Sequence, residues 1–264
     1  MTALELIREL ETLNGASVNS EKTVDTVKCG DVNRPVSKVG VTMFATCDVI
    51  RKAAEMGVEL LITHEPTFYK NAETISPEDS VTMQKHQLLM DADLVLYRYH
   101  DHPHSTADDM IDCGTIYASG LKGSVNGKPY WAITGFSLDE PMTARQIAET
   151  LEKNLSTRHI RIAGAMDVPG RNIAFACGTP GRHIHDLLTS PDWDFVVTGE
   201  LCEWEDGEYA RDQAQLGGGK AVLVLGHCVS ERAGMEYITE ILRQKHPELE
   251  ISYLESEDVY NFTC

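Results

Sequence analysis

Apolar positions along the chain fall into short unbroken runs separated by stretches with helical spacing. Val39 to Thr46, Val58 to Ile62, Asp93 to Tyr99, Asn172 to Cys177, Asp194 to Glu200 and Ala221 to Gly226 have strand length and end at polar or turn residues. Such runs predict buried strands. Val49, Ile50, Ala53 and Ala54 recur at helical spacing within 48–56, as do Val81, Leu88 and Leu89 within 79–91. A further helical run, 143–155, is entered through Pro141-Met-Thr-Ala-Arg with Thr143 as N-cap. The amino terminus predicts an acidic amphipathic helix with Leu4, Ile7 and Leu10 on one face, a pattern unlike a signal peptide. After Gly226 a last helix is expected to run to about Lys245.

The order strand, helix, strand, helix, strand occurs twice with recognisable spelling. Asn172-Ile-Ala-Phe-Ala-Cys177 echoes Val41-Thr-Met-Phe-Ala-Thr-Cys47, Asp194-Phe-Val-Val-Thr-Gly-Glu200 echoes Glu59-Leu-Leu-Ile-Thr-His-Glu65, and Ala221-Val-Leu-Val-Leu-Gly-His227 echoes Leu94-Val-Leu-Tyr-Arg-Tyr-His100. The offsets are 172 − 41 = 131, 194 − 59 = 135 and 221 − 94 = 127 residues. Short apolar strands resemble one another by chance, but three matches in one order favour a diverged duplication. The expected fold is α/β, with two similar lobes of mostly parallel sheet and crossover helices, residues 1–125 and 126–264, and a ligand site in the cleft between them. Gly217-Gly-Gly219 reads as a flexible connection.

Charge narrows the partners. The chain has 264 residues, with 23 basic against 41 acidic, a net charge of −18. That balance argues against general affinity for nucleic acid or an anionic membrane. A small anionic substrate stays compatible with it, because a bound metal reverses the local field. No apolar run approaches the roughly 20 residues needed to span a bilayer. The seven cysteines, Cys29, Cys47, Cys113, Cys177, Cys202, Cys228 and Cys264, form no Cys-x-x-Cys pair. They point to reduced thiols and a cytoplasmic protein.

Chemistry collects at strand ends. The second strand stops at His64 and Glu65, where Pro66 forbids continuation of the ladder, and carboxyl ends of strands are where ligands bind in open α/β sheets. The third strand runs into His100-Asp101-His102-Pro103-His104. In Gly226-His-Cys-Val-Ser-Glu-Arg-Ala-Gly234, His227 and Glu231 are four apart, which places both side chains on one helix face. The competing reading is a polar turn at His64 and a helix cap at His227. Taken together, His64, Glu65, His104, His227 and Glu231 offer three imidazoles and two carboxylates, donors suited to Zn, Mn, Fe or Co rather than Ca. One catalytic zinc uses about three protein ligands. Five therefore fit two divalent ions sharing Glu231. Glu200 and Glu203 are read as pointing into the site, Glu200 and His100 as its proton-handling groups. Gly178-Thr-Pro-Gly-Arg-His183 follows a strand and opens a helix, so its amides are a candidate phosphate cradle. His86 and His246 read as solvated histidines on helix faces.

Thr63-His-Glu-Pro-Thr-Phe-Tyr69, Tyr99-His-Asp-His-Pro-His104, Thr198-Gly-Glu200 and Gly226-His-Cys-Val-Ser-Glu-Arg-Ala-Gly234 resemble the successive motifs of the NIF-three-like family, also described as GTP cyclohydrolase I type II homologs. The resemblance spans nearly the whole chain. It implies a two-lobed α/β subunit, a dinuclear metal centre between the lobes, a ring-shaped homohexamer and, for some members, a proposed GTP cyclohydrolase activity. Two departures stand out. The family's first motif carries two adjacent histidines where this chain has His64-Glu65, and its second motif carries an aspartate where this chain has His104. The expectation is that the two departures compensate, Glu65 and His104 serving one ion while His64 and His227 serve the other, with Glu231 between the two. Asp101 and His102 are the alternative ligands. Two functional readings follow: a metal-dependent hydrolase of a small nucleotide-like or phosphorylated metabolite, or a metal-binding protein without turnover that acts through partners or metal delivery.

Overall fold

The computed structural model describes residues 1–261 and 263. In chain order the elements are α1 (Ala3–Leu10), β1 (Val27–Cys29), β2 (Lys38–Thr42), α2 (Cys47–Met56), β3 (Leu60–Thr63), α3 (Ser80–Ala92), β4 (Val95–Arg98) and the short α4 (Asp101–Ser105). There follow α5 (Met110–Ser119), β5 (Gly123–Tyr130), β6 (Ile133–Thr143), α6 (Ala144–Asn154), β7 (Arg161–Gly164), β8 (Pro169–Ala176), α7 (His183–Thr189) and β9 (Phe195–Thr198). A π-helical turn, Glu203–Gly207, leads into α8 (Glu208–Gln215), then β10 (Ala221–Val224), α9 (His227–Lys245) and β11 (Glu250–Tyr253). The chain divides into two compact units, Met1–Ala107 with Met235–Glu257, and Asp108–Gly234 with the residues from Asp258 onward. The division therefore falls before α5, not at 125/126, and the end of α9 with β11 returns to the first unit.

In the first unit the sheet order is β1-β4-β3-β2-β11, with β4, β3, β2 and β11 parallel and β1 antiparallel at the edge. Leu60, Leu61 and Ile62 are wholly buried, each contributing about 1.5–3 kcal/mol of burial. Sequence pattern and cap agree in α2. Thr46 accepts the Val49 N–H at its start, and Gly57 ends it at φ +71°. Helix α1 buries Ala3, Leu6, Ile7 and Leu10, so the expected face is rotated and Leu4 is half-buried. The register sets Thr42 beside Thr63 and Thr63 beside Arg98. His64 and His100 thus leave neighbouring strands at nearly the same level.

The second unit holds a six-stranded sheet, β5-β6-β8-β9-β10-β7, in which β8, β9 and β10 are parallel and the other pairs antiparallel. Its two faces are covered separately. Ile147, Leu151, Phe175 and Leu223 belong to one apolar cluster, Leu187, Ala174 and Val222 to the other. Thr143 caps α6 through a reciprocal capping box with Gln146, as its sequence predicts.

The same four-strand pattern recurs in both units: β1-β4-β3-β2 in one and β7-β10-β9-β8 in the other, each with an antiparallel edge strand beside three parallel ones. Ladder pairing corrects one detail of the repeat. Ala176 pairs with Thr198 as Thr42 pairs with Thr63, so the first-strand offset is 176 − 42 = 134, three residues from the spelled match.

Among the described residues Cys29, Cys47, Cys113, Cys177 and Cys202 are free thiols. Burial, then the neighbouring Asp112 carboxylate, pushes Cys113 up to about 12, and the same two causes raise the wholly enclosed Cys177 well above the ordinary thiol value. Cys113 and Cys177 are therefore inert core residues. Cys264 lies outside the described residues. Among those described, no helix is long and apolar enough to cross a membrane.

Candidate metal centre

In the first unit, the carboxyl ends of β3 and β4 bring His64, His100 and His104 together. Their ligand nitrogens lie within 4.8 Å of one another. The His64 and His100 rings stack at 4.6 Å between centroids, and the His104 ring stands 5.3 and 5.2 Å from them. His64 and His104 are buried. Helix α4, which the sequence pattern does not predict, turns His104 back toward the strand ends.

What holds the loop in that shape is Asp25. Its carboxylate accepts the backbone N–H of His100 (2.6 Å), Asp101 (2.9 Å) and His102 (2.9 Å), and faces His102 Nδ1 at 2.6 Å. One buried side chain thereby satisfies the open amino end of α4. His102 is committed to Asp25, away from the three-imidazole set. Asp101 is committed too, facing His100 Nδ1 at 2.9 Å and accepting from Thr23 Oγ1 and the Val24 N–H. Burial acts to raise the Asp101 carboxyl, but the hydrogen bonds from His100, Val24 and Thr23 outweigh it and hold the group well below its ordinary value.

Those partners decide which nitrogen each ring presents. His64 Nδ1 is 3.0 Å from the carbonyl oxygen of Tyr99. A carbonyl can only accept, so Nδ1 carries the proton and Nε2 offers a lone pair. Likewise the ionised Asp101 accepts a hydrogen bond from Nδ1 of His100, so that ring's lone pair lies on Nε2. A ring nitrogen bonded to a carbonyl or carboxylate is the usual support of a metal-binding histidine. Such donors fit a divalent ion.

Glu65 stands beside that set, its carboxylate within the same 4.8 Å limit of a His64 ring nitrogen. Its Oε2 stands 3.8 Å from Arg98 Nη2 and its Oε1 3.8 Å from His100 Nε2. Arg98 is 1% exposed, the largest wholly buried side chain, and donates to the His64 carbonyl (3.2 Å) and to Asn71 Oδ1 (3.1 Å).

In the second unit, α9 begins at His227 directly after β10. Thr115 Oγ1 donates to the Ser230 carbonyl, and Ser230 Oγ accepts the Gly178 N–H. His227 and Glu231 share a face as their spacing requires, with Nε2 3.2 Å from Oε2. His227 Nδ1 faces Glu200 Oε1 at 2.7 Å and Thr179 Oγ1 at 3.2 Å. If the Nδ1 proton goes to Glu200, Nε2 turns a lone pair toward the Glu231 carboxylate, and a shared cation reconciles the two. Gly178 makes room for that carboxylate: at φ +64°, any Cβ there would strike Glu231.

Three sequence expectations meet a different geometry. Glu203 belongs to the π-helical turn and pairs with Arg161 at 2.9 Å at the surface, apart from His227. In the glycine loop before α7 the N–H of Gly178 is taken by Ser230 Oγ and that of His183 by the Pro180 carbonyl, which leaves fewer amides for the expected phosphate cradle. His246 is buried and faces Glu9 and Glu248. Two contributors were missed. Asp25 gave no signal, lying 75 residues from His100, whereas Arg98, a lone charge inside an apolar strand run, was the legible one.

The family model described as Duf34/NIF3 (NGG1p interacting factor 3) matches residues 1–259. A GTP cyclohydrolase 1 type 2 homolog from Clostridium perfringens (strain 13 / Type A) is 25% identical over 237 residues, covering 87% of each chain. One from Haemophilus influenzae is 26% identical over 249 residues, covering 90% of this chain and 93% of its own. Among solved structures, protein ybgI, described as of unknown function, superposes with TM-score 0.79 at 20% identity over 98% of this chain and 100% of its own. A Bacillus cereus protein related to NIF3 gives 0.78 at 15% identity, covering 100% and 99%. These structures establish the shared fold.

Proposed function

The chain belongs to the Duf34/NIF3 family, and from that membership and its two histidine–carboxylate sets we propose that it is a metal-dependent hydrolase of a small nucleotide-like or phosphorylated metabolite. The observation that carries the reading is the support of the imidazoles, with Tyr99, Asp101 and Glu200 facing the Nδ1 atoms of His64, His100 and His227. Such partners orient a ring and fix its tautomer, as a metal-binding histidine requires.

In this reading the two sets hold two divalent ions. When bound, these ions polarise a substrate oxygen and lower the pKa of a water. The chain's own residues do the rest. His64, His100 and His104 bind, Glu231 supplies a carboxylate beside His227, and Glu200 orients His227 by accepting a hydrogen bond from its Nδ1. The net charge of −18 does not repel an anionic substrate at a site whose local charge the ions make positive. The subunits are further proposed to form a homohexamer, as the family resemblance implies. Sedimentation as a stable monomer at micromolar concentration would contradict that.

The relatives' shared name makes GTP the first substrate to try. Protein loaded in turn with Zn, Mn, Fe and Co is assayed against GTP, other nucleotides and phosphoesters. Turnover that disappears in His227→Ala supports the hydrolase. Tight metal binding with no turnover on any substrate overturns it in favour of a metal-binding protein acting through partners.

A further inference from the structure

We infer that a cavity between β7 and α8 of the second unit docks the phosphate of the substrate, held by Arg161 and Arg211. The inference rests on the functional reading above and deepens it, naming a phosphorylated metabolite as the substrate class.

Topology places the cavity. It measures about 400 Å³, a size that takes a small ligand, and both arginines line it together with Ala163, Leu201 and Val224. Strand β7 runs antiparallel to β10, and Arg161 at its start pairs with Val224 at the end of β10. The cavity therefore lies at the carboxyl edge of the parallel strands, where open α/β sheets take their ligands. Val224 stands three residues before His227, at most about 10 Å of chain. Leu201 follows Glu200, whose carboxylate faces His227 Nδ1. A phosphate anchored here leaves the rest of a nucleotide-sized metabolite within reach of the His227–Glu231 pair. One wall is the π-helical turn, where the Gly207 and Glu208 N–H groups donate to carbonyls five residues back, those of Cys202 and Glu203. Such turns are rare and concentrate at functional sites.

Charge names the ligand. Two guanidiniums on one cavity repel unless anions offset them, and here each is matched by a carboxylate: Arg161 by Glu203 at 2.9 Å, Arg211 by Glu208 one helical turn before it. Both arginine side chains are 61% exposed, so these pairs are weak and exchange readily. A phosphate carries up to about two charges, and a planar guanidinium meets it through two parallel hydrogen bonds. One phosphate thus serves both arginines at once and displaces both carboxylates. A carboxylate ligand has no such advantage over Glu203 and Glu208. The apolar lining takes the carbon skeleton beside the phosphate.

The test uses the full chain, stripped of metal and freed of chelator, in calorimetric titration with GMP, with guanosine as the control that lacks the phosphate. GMP should bind saturably, and guanosine at least about 10-fold more weakly. Arg161→Gln and Arg211→Gln should each weaken GMP binding about 10-fold, with the ion content of the reloaded chain unchanged. Glu203→Gln should act in the opposite direction and tighten GMP binding, because it removes the carboxylate that competes for Arg161; a variant that merely disturbed the turn would weaken it. Equal binding of GMP and guanosine, no binding of GMP, arginine variants that bind GMP as the wild type does, or weaker binding in Glu203→Gln each overturns the inference. Ion content measured on the same preparations keeps the two readings apart: a wild-type chain that binds GMP as described but takes up no metal overturns the hydrolase reading alone. If an arginine variant fails to fold, the guanosine comparison on the wild type still decides.

Discussion

Glu200 Oε1 lies 2.7 Å from Nδ1 of His227, on the side of the ring opposite the Nε2 that faces Glu231. The carboxylate fixes both the tautomer and the tilt of the imidazole. Supports of this kind are worth about 10–100-fold in metal affinity. Glu200→Ala should therefore weaken metal binding by roughly that factor in a chelator competition. Its melting temperature should barely change, since Glu200 is half exposed and packs against little.

Arg98 and Glu65 should be coupled in stability. Arg98→Met leaves a buried carboxylate without its counter-charge and should destabilise the metal-free protein by about 3 kcal/mol. Adding Glu65→Gln removes the stranded charge and should recover part of the loss, a non-additive cycle expected of neighbours. Denaturant melts of both single variants and the double variant measure it; strict additivity would show that the two side chains do not interact.

The contrast between those pairs shows what the sequence could reveal. His227 and Glu231 were legible because an i, i+4 spacing on a helix leaves no choice of face. His64 was legible because an apolar strand stops there before a proline. Thr143 was legible because capping is local. The Asp25 clamp on α4 was not, because it joins residues 75 apart and depends on β1 pairing with β4. Nor was the part played by His100. How near the His64 and His104 rings lie to it depends on α4, which no local pattern announces. The parallel strands of the repeat were readable from apolar runs, whereas the edge strands β1 and β7, with few buried residues, were not.

Gly178→Ala should cost about 1 kcal/mol from the positive φ alone. It should cost more in metal affinity, because the new methyl displaces the Glu231 carboxylate. A metal titration of this variant beside a Gly181→Ala control separates the two, since Gly181 shares the left-handed backbone at φ +59° but has open space around it.

Acid sensitivity has one local source at the start of β3. Glu59 Oε2 accepts the backbone N–H of Ser37 (2.5 Å) and Lys38 (3.0 Å), and these bonds hold its carboxyl below the ordinary value of 4.5. A carboxyl lowered in the folded state contributes stability that is present above the unfolded value and is lost as pH falls through the folded one. Stability should thus decline on acidification below about pH 4.5, and Glu59→Gln should flatten that decline. Thermal melts between pH 6 and pH 3 check it. An unchanged acid limb in the variant would assign the sensitivity elsewhere.

The most direct test of the central claim is the metal content of the protein itself. Purified without chelators or affinity metals, it should carry close to two divalent ions per chain by elemental analysis, and one fewer when His227 is replaced by alanine. A ratio near zero that stays there after incubation with Zn, Mn, Fe and Co would contradict the account.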